Sequence, residues 1–327
     1  MSADPFTRDR TWLVATAAAM WGLDGLLRKP LATALAPATV VFWEHLLAVA
    51  VLLPAVPAAV RAFLACRPAH RLAIALIGIG ASAGATALFT EAFTISAGQG
   101  DVVTPLILQK LQPVVAVALA AKLIGERLRP GFALYAVPAL VGAWLLSFPD
   151  PLAVRIRDAE AALLALGAAA LWGAGTVLGR LVGAAVRPRD LTVLRYLWGL
   201  PAAWAITRLT GASMVPGWHN VPGLALLALV PGVAALGLYY VALHRTAASR
   251  ATLAELTFPA TAAVVGVAFL GTHLTGSQWL GLMIVAVAVT ALGWRERGDS
   301  PTVRAGRSRL VERDPLEPTP ASLPSSP

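Results

Sequence analysis

The chain has 327 residues, of which 57% are apolar and only 13% charged, which excludes a disordered chain or an ordinary water-exposed domain and indicates a protein built into a membrane. Its net charge of +9 sits on the flanks of apolar runs, so it calls for contact with a membrane surface and gives no ground for nucleic-acid binding. The single cysteine, Cys66, excludes an internal disulfide or a cysteine metal cluster, and no metal, cofactor or nucleotide motif occurs.

Ten apolar windows follow in chain order, at about 12–27, 38–59, 72–95, 102–123, 131–148, 160–179, 191–208, 222–243, 251–270 and 277–294. A helical span needs roughly 20 such residues, and the runs are continuous rather than alternating, so they predict helices and not a β-barrel. Arg8 and Arg10 before the first window mimic a secretory signal, but nine further windows favour an uncleaved first helix. Residues 1–11 form a short N-terminal segment and 149–159 a linker. Residues 295–327, rich in Pro, Ser and charge, are predicted to be a disordered tail.

Two stretches nearly repeat, AAAMWGLDGLLRK at 17–29 and AAALWGAGTVLGR at 168–180, an offset of 151 that also sets Glu44 opposite Arg195. The chain therefore divides into five-helix repeats over 12–148 and 160–294. An odd number of spans per repeat inserts the second copy upside down, the inverted topology on which many secondary transporters are built. Lys and Arg concentrate in alternate connections, such as Arg61, Arg67 and Arg71 or Arg180, Arg187 and Arg189, which predicts that both termini are cytoplasmic. One chain holds both halves, so a monomer suffices.

Ionisable groups inside such spans mark function, because they are tolerated only beside a partner or a wet cavity. Five stand out: Glu44, Glu91, Lys110, Arg195 and Glu255. Counting along the helices predicts that Lys110 pairs with Glu44 or Glu91 towards the outside and Arg195 with Glu255 towards the inside, as gates or substrate contacts. Pro113 and Pro259 fall at corresponding places and should free the carbonyls of Gln109 and Glu255 for a cation, a water or a substrate ammonium. Asp24 and Glu91 are candidates to carry a coupling proton. Trp21 and Trp172, within their helices, are expected to wall a cavity; Trp12, Trp218, Trp279 and Trp294, near span ends, read as interfacial anchors.

Gly80-Ala81-Ser82-Ala83-Gly84 matches the Gly-x-Ser-x-Gly pattern of serine hydrolases. That chemistry needs a histidine at the same depth, whereas most of the five histidines fall at ends or loops and His45 is expected at a lipid edge or in packing. Small residues four apart also let helices pack closely, so an intramembrane hydrolase is a remote alternative and no enzyme is expected.

The AxWG elements Trp21-Gly22 and Trp172-Gly173, the basic residues Lys29 and Arg180, Arg195, and LQPVVAVALAAKLIGERL at 111–128 together resemble the ten-helix EamA-type members of the drug/metabolite transporter superfamily over about 11–294. The sequence departs from that pattern at Glu44, where arginine is usual, and at Gly271-Thr272-His273, where Gly-Glu is usual. The resemblance implies a bundle whose first four helices in each half surround a cavity, with helices five and ten peripheral. It also implies export of small metabolites, commonly amino acids and sometimes with proton coupling. The expectation is an all-α, ten-span inner-membrane carrier of small polar metabolites, amino acids leading, surrounded by lipid; a passive facilitator or multidrug exporter is the alternative.

Overall fold

The computed structural model describes residues 10–98, 108–109, 111–126, 131–148, 150–152, 159–269, 271 and 273–298; Lys110 lies outside them. Among the described residues all regular structure is helical, and it groups into ten segments. α1 comes in two pieces, Thr11–Gly22 and Asp24–Ala34; α2 is Pro37–Ala65; α3 runs from Pro68–Leu76 through a π-helical stretch, Ile77–Gly84, into Ala85–Gly98. α4 is Gln112–Ile124, α5 Ala133–Ser147, α6 Ala159–Val182, α7 Pro188–Leu209 and α8 Trp218–Leu243, with its own π stretch at Ala228–Ala234. α9 is broken into Ala248–Ala254 and Thr257–Phe269, and α10 is Gly276–Gly298. α2, α3, α6, α8 and α9 are long and apolar enough to cross a membrane.

Local chemistry sets these ends. Pro37, Pro68 and Pro188 open α2, α3 and α7 at the first turn, each after an extended residue, where the missing N–H is harmless and the ring suits the helical φ. Past the ends of α4 and α9, Gly125 and Gly271 take left-handed φ of 64° and 67°, which only glycine adopts freely. Just beyond Gly125, the Glu126 carboxylate accepts hydrogen bonds from the Ala248 and Ser249 amides, at 2.9 and 3.1 Å, and from the Ser249 hydroxyl. It thereby caps the start of α9 from the end of α4.

The 151-residue register persists in the backbone. Pro37 and Pro188 keep it, and so do the π stretches, which begin at Ile77 and Ala228. The halves are interlaced: the first piece of α1 packs on α8 and α9 of the second half, α6 packs on α3 and α4 of the first, α2 lies along α7, and α5 along α10. Gly142 and Gly281 make the last pair close, since a Cβ on Gly281 would lie 2.6 Å from the Gly142 carbonyl. A large core joins α1, α2, α3, α7 and α8, while α5 and α10 bury their faces on the outside of α9.

Candidate functional site

Helices α1 to α4 and α6 to α9 enclose a cavity of about 330 Å³ to which α5 and α10 contribute no lining. Its polar groups fall into three clusters. In the first, the break in α1 places Asp24 at the start of the second piece, and Arg28 one turn later grips it with Nε–Oδ2 and Nη2–Oδ1 contacts of 2.6 and 2.8 Å. Arg28 Nη2 also reaches Glu44 Oε2 of α2 at 3.1 Å, so one guanidinium serves two carboxylates.

The second cluster is Glu255, at the break of α9. Its Oε1 accepts from the Tyr239 hydroxyl at 2.7 Å and from Thr176 Oγ1 at 3.3 Å, and its Oε2 from Gln112 Nε2 at 2.8 Å. All three donors are neutral. One turn earlier on the same wall, the buried Thr252 hydroxyl has no hydrogen-bond partner among the described residues.

In the third cluster Arg195 of α7 donates from Nη1 to the Tyr240 hydroxyl at 3.1 Å, and from Nε and Nη2 to Ser82 Oγ and the Ala81 carbonyl, both at 3.4 Å. Ser82 and Ala81 belong to the π stretch of α3, and such stretches redirect backbone and side-chain groups at functional places. His45 Nδ1 lies 2.8 Å from the Val41 carbonyl and so carries the proton, which leaves Nε2 to accept from Ser82 Oγ at 2.9 Å. Trp21, Tyr239 and Trp172 line the same space: Trp21 stands 5.2 Å from Tyr239 and donates from Nε1 to the Pro231 carbonyl at 2.9 Å, while Trp172 packs 5.6 Å from Phe89 behind it.

Trp21, Asp24, Glu44, Gln109, Pro113, Trp172, Arg195, Glu255 and Pro259 thus converge on one cavity. Glu91 does not; it is exposed, on the lining of a smaller cavity between α2, α3 and α7. The expected pairing of Lys110 with Glu44 or Glu91 lies outside the described residues, among which Glu44 is held by Arg28. The expected Arg195–Glu255 pair is corrected, since the two keep separate partners instead of meeting. The Glu255 carbonyl expected to be free accepts from the Phe258 amide at 2.9 Å, because the break tightens the chain into a turn there.

Of the two places expected for His45, a lipid edge or packing, it takes the second: it is buried on the cavity wall and hydrogen-bonded to Ser82. This gives the Gly-x-Ser-x-Gly stretch a histidine at its own depth, yet Ser82 sits on a π-helical turn rather than a strand-to-helix elbow, and His45 Nδ1 is taken by a carbonyl and not by a carboxylate. Sequence reasoning missed Arg28, Gln112, Thr176, Tyr239, Tyr240 and Thr252. The spacing of Asp24 and Arg28, one helical turn apart with opposite charge, was the available signal for the first.

The profile of the EamA-like transporter family matches residues 11–148 and 159–294, one match per repeat. The riboflavin transporter ImpX of Fusobacterium nucleatum is 29% identical over 289 residues, which cover 85% of this chain and 95% of that protein. The uncharacterized transporter YwfM of Bacillus subtilis is 29% identical over 211 residues, 61% of this chain and 67% of that one. A solved crystal structure superposes with a TM-score of 0.71 at 18% identity, over 89% of this chain and 99% of its own, so the fold is shared. With both repeats matched and a polar cavity closed between them, the chain belongs to the EamA-like transporter family of the drug/metabolite transporter superfamily.

Proposed function

We propose that this protein is a ten-span bacterial inner-membrane carrier, with cytoplasmic termini, that exports zwitterionic amino acids by alternating access. The observation that carries this reading is that Arg195 and Glu255 line the same cavity, and neither has an ion-pair partner among the described residues. Opposite charges left unpaired in a low-dielectric site are stabilised by a ligand bearing both complements. An α-carboxylate on Arg195 and an α-ammonium on Glu255, with the spare Thr252 hydroxyl beside it, meets that requirement. Trp21 and Trp172 then pack the substrate's apolar part.

The test is counterflow in proteoliposomes loaded with unlabelled amino acids, following labelled ones with and without an inward-acid gradient. Saturable uptake that is lost in Glu255→Gln supports the reading, and uptake by that variant at the parent rate sinks it. Uptake indifferent to the gradient makes the protein a facilitator.

A flavin is the second reading. It is favoured by the rings of Trp21, Trp172 and Tyr239 on the cavity wall and by the name of the relative from Fusobacterium nucleatum. Riboflavin in place of amino acids in the same assay separates the two.

A further inference from the structure

Arg28 holds Glu44 by one oxygen only. It takes Oε2, whereas Oε1 accepts no hydrogen bond among the described residues. Beside it the hydroxyl of Tyr196, a residue only 4% exposed, lines the same central cavity and likewise has no hydrogen-bond partner among the described residues. Gly232 keeps the corner between them open. A Cβ there would stand 3.1 Å from the Tyr196 hydroxyl and 3.9 Å from Glu44 Oε1, so one methyl group would fill it.

The 151-residue register sets Gly232 opposite Ala81, as it sets Glu44 opposite Arg195. At Ala81 the cation is the protein's own, since Arg195 donates to the Ala81 carbonyl at 3.4 Å. At the matching place on the π stretch of α8, Glu44 and Tyr196 offer acceptors, so this corner receives a cation where its image supplies one. The charge balance points the same way. Asp24, Glu44 and Glu255 face Arg28 and Arg195, so the described lining carries an excess of one negative charge. A zwitterion leaves that excess in place, and an uncompensated charge away from water is costly.

We infer that the corner of Glu44, Tyr196 and Gly232 is a cation subsite of the cavity, and that the substrate is an amino acid with a cationic side chain. An ammonium there donates to Glu44 Oε1 and to the Tyr196 hydroxyl oxygen. Trp21 joins this corner to Glu255: its indole donates to the carbonyl of Pro231, next to Gly232, and its ring packs on Tyr239, which donates to Glu255. The methylene stem of a diamino acid lies along that indole, with the α-carboxylate at Arg195 and the α-ammonium at Glu255. This rests on the amino-acid reading and adds to it the group that selects among amino acids.

The test is counterflow of labelled L-lysine and L-norleucine, which share a carbon chain and differ by the side-chain ammonium. Lysine should have the lower KM by about tenfold or more, the factor that a charge-assisted hydrogen bond carries. Glu44→Gln, in which Arg28 keeps both contacts to Asp24, should abolish that preference, and Gly232→Ala should do so by filling the corner. Norleucine uptake at lysine's KM overturns the inference and leaves the amino-acid reading standing. A preference that survives both substitutions, in protein that melts like its parent, also overturns it; if Glu44→Gln does not fold, Gly232→Ala decides alone. A second readout needs no transport: 1,5-diaminopentane, with two ammonium groups and no carboxylate, should raise the melting temperature of the purified parent and not of Glu44→Gln. Uptake of neither amino acid with this protection intact defeats only the amino-acid reading, and equal protection of both proteins defeats the subsite.

Discussion

Glu44 on α2 and Arg195 on α7 occupy the same place in the two repeats, 151 residues apart, and face one cavity with opposite charge. Their partners differ in kind. Glu44 is satisfied within its own half by Arg28 of α1, whereas Arg195 reaches across to the π stretch of α3 as well as to Tyr240 of α8. The repeats are therefore alike in shape and unlike in electrostatics, which makes the two faces of the cavity chemically distinct to a passing ligand.

Removing Arg28 should be the most destabilising change at the site. Arg28→Ala leaves Asp24 and Glu44 facing each other without a counter-charge, and losing the charge-assisted hydrogen bonds of this half-buried cluster should cost about 1.5–3 kcal/mol. Glu44→Gln added to it should recover part of the loss. Thermal unfolding in detergent reads both; a single variant that melts with its parent would show that water, not Arg28, stabilises the carboxylates.

Tyr239→Phe should weaken substrate binding without stopping turnover. It removes one of three donors that hold the Glu255 carboxylate in place, worth roughly 0.5–1.5 kcal/mol, so KM in counterflow should rise several-fold at constant maximal rate. A fall in maximal rate at unchanged KM would place Tyr239 in the conformational step instead.

The cap between α4 and α9 gives a local prediction. Glu126→Ala frees the Ala248 and Ser249 amides and should cost about 0.5–2 kcal/mol. Hydrogen exchange over Ala248–Ala254 should quicken while α6 is unaffected. Uniform protection in the variant would mean that packing, and not the cap, sets the start of α9.

Gly281→Leu separates stability from transport. The side chain would strike the Gly142 carbonyl and the Leu146 amide nitrogen on α5, an overpacking loss of about 1–3 kcal/mol, yet neither α5 nor α10 lines the cavity. The melting temperature should drop with substrate KM unchanged; a shifted KM would mean that α5 and α10 shape the site through α9.

The helices and the duplication were legible because both are written in long, redundant signals: apolar runs, the AxWG pair and prolines at matching places. The site was half legible. A charge in an apolar run announces itself, so Glu44, Arg195 and Glu255 stood out, but which charges meet depends on how the halves interlace. Counting depth along single helices put Arg195 with Glu255, whereas α7 turns Arg195 towards the π stretch of α3 and α9 breaks where Glu255 meets Tyr239 of α8. Arg28 was hidden by its nearness to a helix end.

The interlaced packing sets a timetable for the chain's assembly. Trp21 of α1 finds its acceptor, Pro231, 210 residues later. At about 5–20 residues per second of synthesis the first helix waits roughly 10–40 s in lipid before its partner emerges from the ribosome. Its lipid-compatible apolar face and the adjoining Asp24–Arg28 ion pair, both local to the first helix, are what let it persist through that interval. Either half made alone keeps this exposed surface permanently, so the two halves produced as separate polypeptides in one cell should find each other.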